Sequence, residues 1–173
     1  MGSRTALTPM ATPTVTTGTQ PYSVVVDPSG KYAYVANFSS NTVSQFVIGA
    51  GGSLTPMATA AVATGTSPLS VTVDPSGKYA YVANGGSSTV SQFTIGANGS
   101  LIPMATAAVS TGSTPAFISV DPSGKYAYVA NAVSNNVSQF SIGADGSLTP
   151  LATAVVSAGT GSRAVTTTYA PTH

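Results

Sequence analysis

The 173-residue chain contains 42% hydrophobic and 5% charged residues and has a formal net charge of +1, so it has no basic patch to bind nucleic acid or an anionic membrane surface. No apolar run reaches the roughly 18 residues needed for membrane insertion, and the lack of Cys excludes disulfides, thiolate nucleophiles and Cys-based metal sites. The 18 Gly and 12 Pro residues, with abundant Val and Thr, predict many short strands joined by tight turns.

Repetition divides the chain. The segment V-D-P-S-G-K-Y-A-Y-V-A-N begins at Val26, Val73 and Val120, a spacing of 47 residues. Such a period is typical of repeat architectures whose units are stable only when stacked. We predict that residues 1–4 are a cloning remnant and that residues 5–20 form a lone outer strand. Repeats 1, 2 and 3 are predicted at residues 21–67, 68–114 and 115–161. Residues 162–173 are predicted to form an orphan inner strand with a tail.

Each repeat is predicted to contain four strands, which repeat 1 places at residues 22–26, 32–37, 42–48 and 54–63. The Asp-Pro-Ser-Gly sequence between the first two strands is typical of a hairpin turn. Asn-Gly and Asp-Gly between the last two strands of repeats 2 and 3 favour a second hairpin. Each repeat is therefore a four-stranded antiparallel meander.

The order of the strands follows from proline and valine. The fourth strand carries Pro at the same point in every repeat, and Pro indicates an edge strand. The first strand is rich in Val and is predicted to be the innermost. Four-stranded meanders arranged around an axis are the blades of a β-propeller, so we predict an all-β propeller segment of about 3.5 four-stranded antiparallel blades. A β-solenoid is the alternative fold.

The repeated D-P-S-G-K-Y-A-Y-V-A-N segment resembles the YVTN-type β-propeller repeat family, because Tyr34-Val35-Ala36-Asn37 stands where the family has Tyr-Val-Thr-Asn. The resemblance covers nearly the whole chain. It implies a propeller related to lactonase-like and surface-layer proteins, typically seven-bladed, and an extracellular or cell-surface location. The shared motif describes blade construction and leaves the activity open.

Three and a half blades would expose an apolar sheet face at each end, and such faces mark association sites. We therefore predict that the chain closes a ring by self-association, most simply as a homodimer that buries more than roughly 2,000 Å². The blade count of that ring is open. Strand exchange into an open-ended assembly is the alternative, since one outer strand can complete almost any blade.

The ionisable groups give little support for catalysis. Apart from Tyr there are ten, and six of them are the Asp and Lys residues of the repeated turn. An Asp before Pro-Ser-Gly usually accepts backbone N–H groups, and the terminal His173 has no fixed partner. No paired carboxylates remain, so the chain is predicted not to be an enzyme and to have no catalytic residue, no cofactor and no metal site.

Sequence differences among the repeats are concentrated at one predicted end of the blades. This pattern agrees with tolerant loops, and it also agrees with a shallow ligand site formed by aromatic rings and hydrogen-bonding groups. The candidate residues of that loop-face site are Tyr22, Phe38, Asn41, Ser87, Asn135 and Arg163. Gln45, Gln92 and Gln139 are predicted to bond between neighbouring blades, since a buried amide needs a partner.

The sequence thus predicts a non-enzymatic structural or binding propeller module that assembles with itself. A lactonase-like hydrolase of small sugar lactones is the alternative that the family resemblance implies. Arg163 is the only ionisable group predicted near the mouth of the ring, so it is the residue on which that alternative depends.

Overall fold

The computed structural model describes residues 10–167. Within that range it contains twelve β-strands: β1 (Pro21–Val26), β2 (Tyr32–Asn37), β3 (Thr42–Ile48), β4 (Leu54–Ala63), β5 (Pro68–Val73), β6 (Tyr79–Asn84), β7 (Thr89–Ile95), β8 (Leu101–Ser110), β9 (Pro115–Val120), β10 (Tyr126–Asn131), β11 (Asn136–Ile142) and β12 (Leu148–Ser157). Among these residues no helix has the length and apolar character needed to cross a membrane.

The strands form three antiparallel sheets in simple sequence order: β1 to β4 are blade 1, β5 to β8 are blade 2, and β9 to β12 are blade 3. The prediction of an all-β fold built from four-stranded antiparallel propeller blades is confirmed. Successive blades meet mainly through their first strands, because β5 packs on β1 and β9 packs on β5. The first strand of each blade is therefore the inner one.

The fourth strand of each blade is the edge that its proline predicts. In blade 1 Pro56 lies opposite Phe46, and the register of the β3–β4 ladder shifts between Ser44 and Phe46. Most of β4 is exposed, whereas the middle of β2 and β3 is buried. Since proline cannot donate a ladder hydrogen bond, an outer position is the one where it costs least.

The cores of the protein lie between neighbouring blades. Tyr34, Ala36 and Val43 of blade 1 pack against Val71, Ala80, Val82, Phe93 and Leu101 of blade 2, and the same set recurs between blades 2 and 3. The two larger cores are therefore shared between neighbouring blades, as expected for a repeat fold. A smaller cluster of Ala33, Val35 and Phe46 in blade 1 packs against Val15.

Buried glutamines join the blades, as predicted, in two of the three copies. Gln92 Nε2 donates to the Thr106 carbonyl at 2.8 Å, and its Oε1 accepts from Leu148 N of the next blade at 2.6 Å. Gln45 does the same with Thr59 and Leu101. Gln139 bonds Thr153 of its own blade, and within residues 10–167 no further blade follows to supply a second partner.

Because Gln92 bonds the next blade and Gln139 does not, their replacement is predicted to lower the free energy of unfolding by different amounts. Gln92→Ala leaves the Leu148 N–H without the partner of a buried hydrogen bond, so we expect the free energy of unfolding to fall by about 1–3 kcal/mol. Gln139→Ala, the matched control, removes no bond between blades and is expected to cost less. Urea unfolding of both variants measures the difference, and equal losses would contradict a role for Gln92 between blades.

The two ends of the described chain form no strand. The predicted lone outer strand (5–20) lies partly outside the described residues, and residues 10–20 form only bends and irregular backbone. Residues 162–167 run beside blade 3, where Thr167 Oγ1 donates to the Val120 carbonyl at 2.9 Å. Within residues 10–167 neither segment joins one of the three four-stranded sheets.

Candidate functional site

One end of the blades, here called the loop face, carries two sets of loops. The first set joins the second and third strands of each blade at residues 38–41, 85–88 and 132–135; the second leads into the first strand at residues 17–20, 64–67, 111–114 and 158–161. Phe38 N donates to the Gln20 carbonyl at 2.8 Å and Gly85 N to the Ser67 carbonyl at 2.8 Å, so the two sets are bonded together.

The structure brings two of the candidate residues together. The rings of Tyr22 and Phe38 lie 5.3 Å apart between centroids, with their planes tilted by 37°. Tyr22 is 64% exposed. This pair of rings, at the start of blade 1, offers an apolar surface beside a hydroxyl, which suits a ligand with both apolar and polar faces.

The candidate asparagines have a structural role. Asn41 and Asn135 adopt positive φ of 55° and 53°, a conformation that Asn tolerates. Asn41 Oδ1 accepts from Ser67 N at 2.7 Å, and Asn135 Oδ1 accepts from Gly161 N at 2.8 Å. Their carbonyl oxygens therefore fix the backbone of the next connection, and only the amide nitrogens remain for a ligand.

Ser87 and Arg163 lie apart from the aromatic pair along the chain. Ser87 is exposed, accepts from Thr66 N at 3.2 Å and shares a 2.9 Å hydrogen bond with Thr89. Arg163 is exposed and follows Gly161, which Asn135 holds at the loop face. Among residues 10–167 no hydrogen bond joins Arg163 to another candidate residue, so the structure does not bring it together with the aromatic pair.

The carboxylates of the repeated turns lie at the opposite end, called the turn face. Asp27 Oδ1 accepts from Lys31 N and Tyr32 N at 2.9 and 2.7 Å, and Oδ2 accepts from Ser29 N and Ser29 Oγ. Burial of the carboxyl alone would raise the pKa of Asp27, but these hydrogen bonds outweigh it and hold the pKa below its ordinary value. The same balance lowers the pKa of Asp121. These groups are turn acceptors, as their sequence pattern predicts.

The lowered pKa values predict a loss of stability in acid. An Asp in the unfolded chain titrates near about 3.9, and because Asp27 and Asp121 titrate lower in the fold, their contribution is present above about pH 4. It is lost as the pH falls through the native pKa values. We expect the urea midpoint to be flat from about pH 7 to 5 and to fall below about pH 4. Asp27→Asn should reduce that fall, and an unchanged midpoint at about pH 3 would contradict this account.

The structure contains a buried polar network beneath the loop face that was not among the candidate sites proposed from the sequence. Asn37 Nδ2 donates to Thr42 Oγ1 at 3.1 Å and to Ser44 Oγ at 2.9 Å, and Ser44 Oγ also accepts from Gly18 N at 3.2 Å. A Cβ on Gly18 would lie 2.8 Å from the Asn37 side chain, so glycine is required there. The network recurs at Asn84 and Asn131. The Asn that ends each Y-V-A-N motif is the sequence feature that could have predicted this network.

No group of three metal-ligating side chains occurs within the described part of the chain. The loop face of that part carries neither carboxylate nor imidazole, since Asp27, Asp74, Asp121 and Asp145 all lie in hairpins of the turn face. Its chemistry is therefore that of aromatic rings, hydroxyls, amides and one guanidinium.

Blades of this construction define the chain as a β-propeller protein. A profile described as "Lactonase, 7-bladed beta-propeller" matches residues 2–166. The chain therefore belongs to the lactonase family of seven-bladed β-propellers. A comparison with curated proteins finds no significant match.

Solved structures agree with this family. A candidate 6-phosphogluconolactonase from Bacteroides fragilis is 28% identical, with a TM-score of 0.74 over 83% of this chain and 41% of that one. A second candidate 6-phosphogluconolactonase, from Bacteroides uniformis, is 22% identical, with a TM-score of 0.77 over 87% and 44% of the two chains. The periplasmic gluconolactonase of Pseudomonas aeruginosa is 22% identical, with a TM-score of 0.71 over 84% and 42%. The chain thus spans less than half the length of these relatives.

These findings contradict two sequence-based predictions, that the chain is a non-enzymatic structural or binding module and that it is not an enzyme. The lactonase family match and the gluconolactonase neighbours favour the lactonase-like alternative. The prediction rested on the lack of paired carboxylates among the ionisable groups of the chain, and the family match overturns it.

Proposed function

We propose that the chain belongs to a lactonase-like hydrolase that opens small sugar lactones, and that its loop face binds the lactone. The observation that carries the proposal is the match of the lactonase propeller profile to residues 2–166. The names of the similar structures, 6-phosphogluconolactonase and gluconolactonase, suggest the cyclic ester of a sugar acid as the substrate class.

The chemistry needs few groups from the protein. Water adds to the ester carbonyl and gives up a proton, while negative charge develops on the carbonyl oxygen. The ring C–O bond then breaks as the ring oxygen takes up that proton, which leaves the open-chain hydroxy acid. Donors directed at the developing charge are the main source of rate enhancement in acyl transfer. The exposed guanidinium of Arg163 supplies such a donor or holds a phosphate on the sugar.

The aromatic pair supplies a second part of the site. Tyr22 and Phe38 offer ring surface against which the C–H face of a sugar packs, while the Tyr22 hydroxyl can bond a sugar hydroxyl. The Nδ2 groups of Asn41 and Asn135, whose Oδ1 atoms are bonded to the backbone, are further donors on the same face. This assigns binding and charge stabilisation to these three blades.

Arg163 provides the test. We expect the purified chain to speed the hydrolysis of 6-phosphogluconolactone above its spontaneous rate, followed by acid release at constant pH. Arg163→Ala should lower kcat/KM by about 100-fold, the usual cost of losing one donor to a developing oxyanion. Arg163→Lys should recover part of the loss.

Lys31→Ala is the matched control, because it removes one exposed positive charge from the turn face. It should leave kcat/KM unchanged. Wild-type hydrolysis at the spontaneous rate would refute the proposed activity, and equal rates for Lys31→Ala and Arg163→Ala would refute the role of Arg163.

We also infer that the repeats are of the YVTN type and that the protein works outside the cell or at its surface. The support is the Tyr34-Val35-Ala36-Asn37 motif and its two exact copies. Fractionation of the source cells tests the location, and recovery of the protein from the cytoplasm alone would contradict it.

A further inference from the structure

Two Asn-Gly dipeptides occur in the chain, Asn84-Gly85 and Asn98-Gly99, and both belong to blade 2. The amide side chain of an asparagine can be attacked by the backbone nitrogen of the next residue. Glycine at that next position makes the attack easiest, because it has no Cβ to keep the two groups apart. The fold protects one of the two dipeptides and exposes the other.

Asn84 is the protected residue. Its side chain is fully buried, and its Nδ2 donates to Thr89 Oγ1 at 3.1 Å and to Ser91 Oγ at 2.9 Å. Gly85 N, the nitrogen that would attack, donates to the Ser67 carbonyl at 2.8 Å. Loss of the Asn84 amide as ammonia would break both side-chain hydrogen bonds in a site closed to water. Asn84 is therefore expected to keep its amide.

Asn98 is exposed in the hairpin between β7 and β8. Its Oδ1 accepts from Ser100 N at 3.1 Å and from Ser100 Oγ at 2.7 Å. Because these bonds reach two residues along the chain, they direct the Asn98 side chain along the peptide that carries the Gly99 nitrogen. The two donors also face the oxygen on which negative charge develops when a nucleophile adds to the amide carbon, and such donors lower the barrier to addition.

The equivalent residue of blade 3 shows that an aspartate fits this hairpin. Asp145 lies one repeat after Asn98, and its Oδ1 accepts from Ser147 N at 3.0 Å and from Ser147 Oγ at 2.7 Å. These hydrogen bonds hold the pKa of Asp145 below its ordinary value. A carboxylate at position 98 would have the same two donors in Ser100, so the fold does not oppose conversion of the amide.

We propose that Asn98 is a site of spontaneous deamidation assisted by Ser100, whereas Asn84 is not. The Gly99 nitrogen attacks Asn98 Cγ, the Cγ–Nδ2 bond breaks, and Nδ2 leaves as ammonia with the proton of the Gly99 N–H. Water then opens the cyclic imide, giving its hydroxyl to a carbonyl carbon and its proton to the Gly99 nitrogen. Breaking the new Cγ–N bond yields an aspartate. Breaking the original peptide bond instead yields an isoaspartate, in which the main chain runs through Cβ.

The two products differ in their effect on the junction between blades 1 and 2. Tyr34 Oη donates to the buried Gly99 carbonyl at 2.6 Å, and Tyr32 Oη donates to the Ala97 carbonyl at 3.4 Å. An isoaspartate lengthens the main chain by one carbon between these two acceptors, so the tyrosine bonds lose their present geometry. The isoaspartyl chain is expected to unfold at a lower urea concentration than the wild type.

The aspartyl product keeps the length of the main chain. Asn98→Asp supplies this product directly and should unfold at the wild-type urea midpoint. A lower midpoint would contradict the fit inferred from Asp145.

The test follows both asparagines in one sample of folded protein held in mildly alkaline buffer, which favours loss of the Gly99 N–H proton. Chymotryptic cleavage after Phe93 places the two asparagines on separate peptides, and mass spectrometry detects the exchange of an amide for a carboxyl in each. A methyltransferase specific for isoaspartate identifies that product. We expect conversion at position 98 and none at position 84.

The chain unfolded in urea is the reference. There both asparagines should be converted, and position 98 should react faster than in the folded protein, because Gly99 N no longer donates to the Gly96 carbonyl at 2.8 Å. Asn98 intact in the folded protein while the unfolded chain is converted would overturn the proposal, as would equal rates at the two positions in the folded protein.

Ser100→Ala tests the assistance from Ser100. It removes the shorter of the two hydrogen bonds to Asn98 Oδ1, so conversion at position 98 should slow several-fold in the folded protein. Ser147→Ala is the matched control, because it removes the equivalent hydroxyl from the hairpin of blade 3. It should leave the rate at position 98 unchanged. A rate that Ser100→Ala leaves unchanged or raises would refute the role of Ser100.

Discussion

Replacing Phe93 with alanine is expected to lower the free energy of unfolding by about 3–5 kcal/mol, the usual cost of removing a buried phenylalanine. Phe93 is 2% exposed and packs in the cluster shared by blades 1 and 2, beside Tyr34, Val43 and Leu101. Its loss therefore leaves a cavity between two sheets and weakens both blades together. Denaturant unfolding followed by circular dichroism measures the change.

Ile102→Ala is the control for Phe93→Ala. Ile102 lies on the neighbouring outer strand and is 50% exposed, so we expect a change within about 0.5 kcal/mol. If Phe93→Ala cost no more than the control, the cores between blades would not be what stabilises this fold.

The second large effect concerns a glycine beneath a tyrosine of the preceding blade. Gly146 has φ of +82°, and a Cβ there would overlap the ring of Tyr79. Gly146→Ala therefore combines about 1–2 kcal/mol of left-handed backbone strain with about 1–3 kcal/mol of overpacking. Loss of the Tyr81 bond to the Gly146 carbonyl would add to this cost.

Gly52→Ala separates the two contributions. Gly52 has nearly the same φ, +80°, but a Cβ there meets only the Met10 methyl at 3.8 Å. In the single chain it should therefore cost only the backbone strain. Unfolding of both variants at a concentration that keeps the chains apart measures the difference. Equal decreases in the free energy of unfolding would show that the Tyr79 ring does not restrict the space at Gly146.

Much of the fold follows from short-range patterns. The Asp27-Pro28-Ser29-Gly30 turn is predictable because Asp accepts nearby N–H groups and Gly30 adopts φ of +70°. The edge position of β4 is predictable from Pro56. The bonds of Gln45 and Gln92 between blades follow from the need of a buried amide for a partner, although the sequence could not name Leu101 and Leu148 as those partners.

The candidate site was harder to predict from the sequence because several of its polar groups bond the backbone of the protein. Asn41 and Asn135 were expected to face a ligand, yet their oxygens hold the backbone of Ser67 and Gly161 at loops of positive φ. Contacts 26 residues apart depend on how one blade follows another, which no local pattern specifies. Tyr22 and Phe38 were predicted to offer aromatic surface on the same face, and the structure adds the distance of 5.3 Å between their ring centroids.

The most direct test of a lactone site on the loop face is to follow backbone amide resonances during titration with the δ-lactam of 6-phosphogluconic acid. The lactam keeps the ring and phosphate but replaces the hydrolysable ester with an amide. We expect the amide resonances of Tyr22, Phe38 and Arg163 to shift, while those of the turns at Ser29, Ser76 and Ser123 stay in place. Shifts confined to the turns, or none at saturating lactam, would contradict the account.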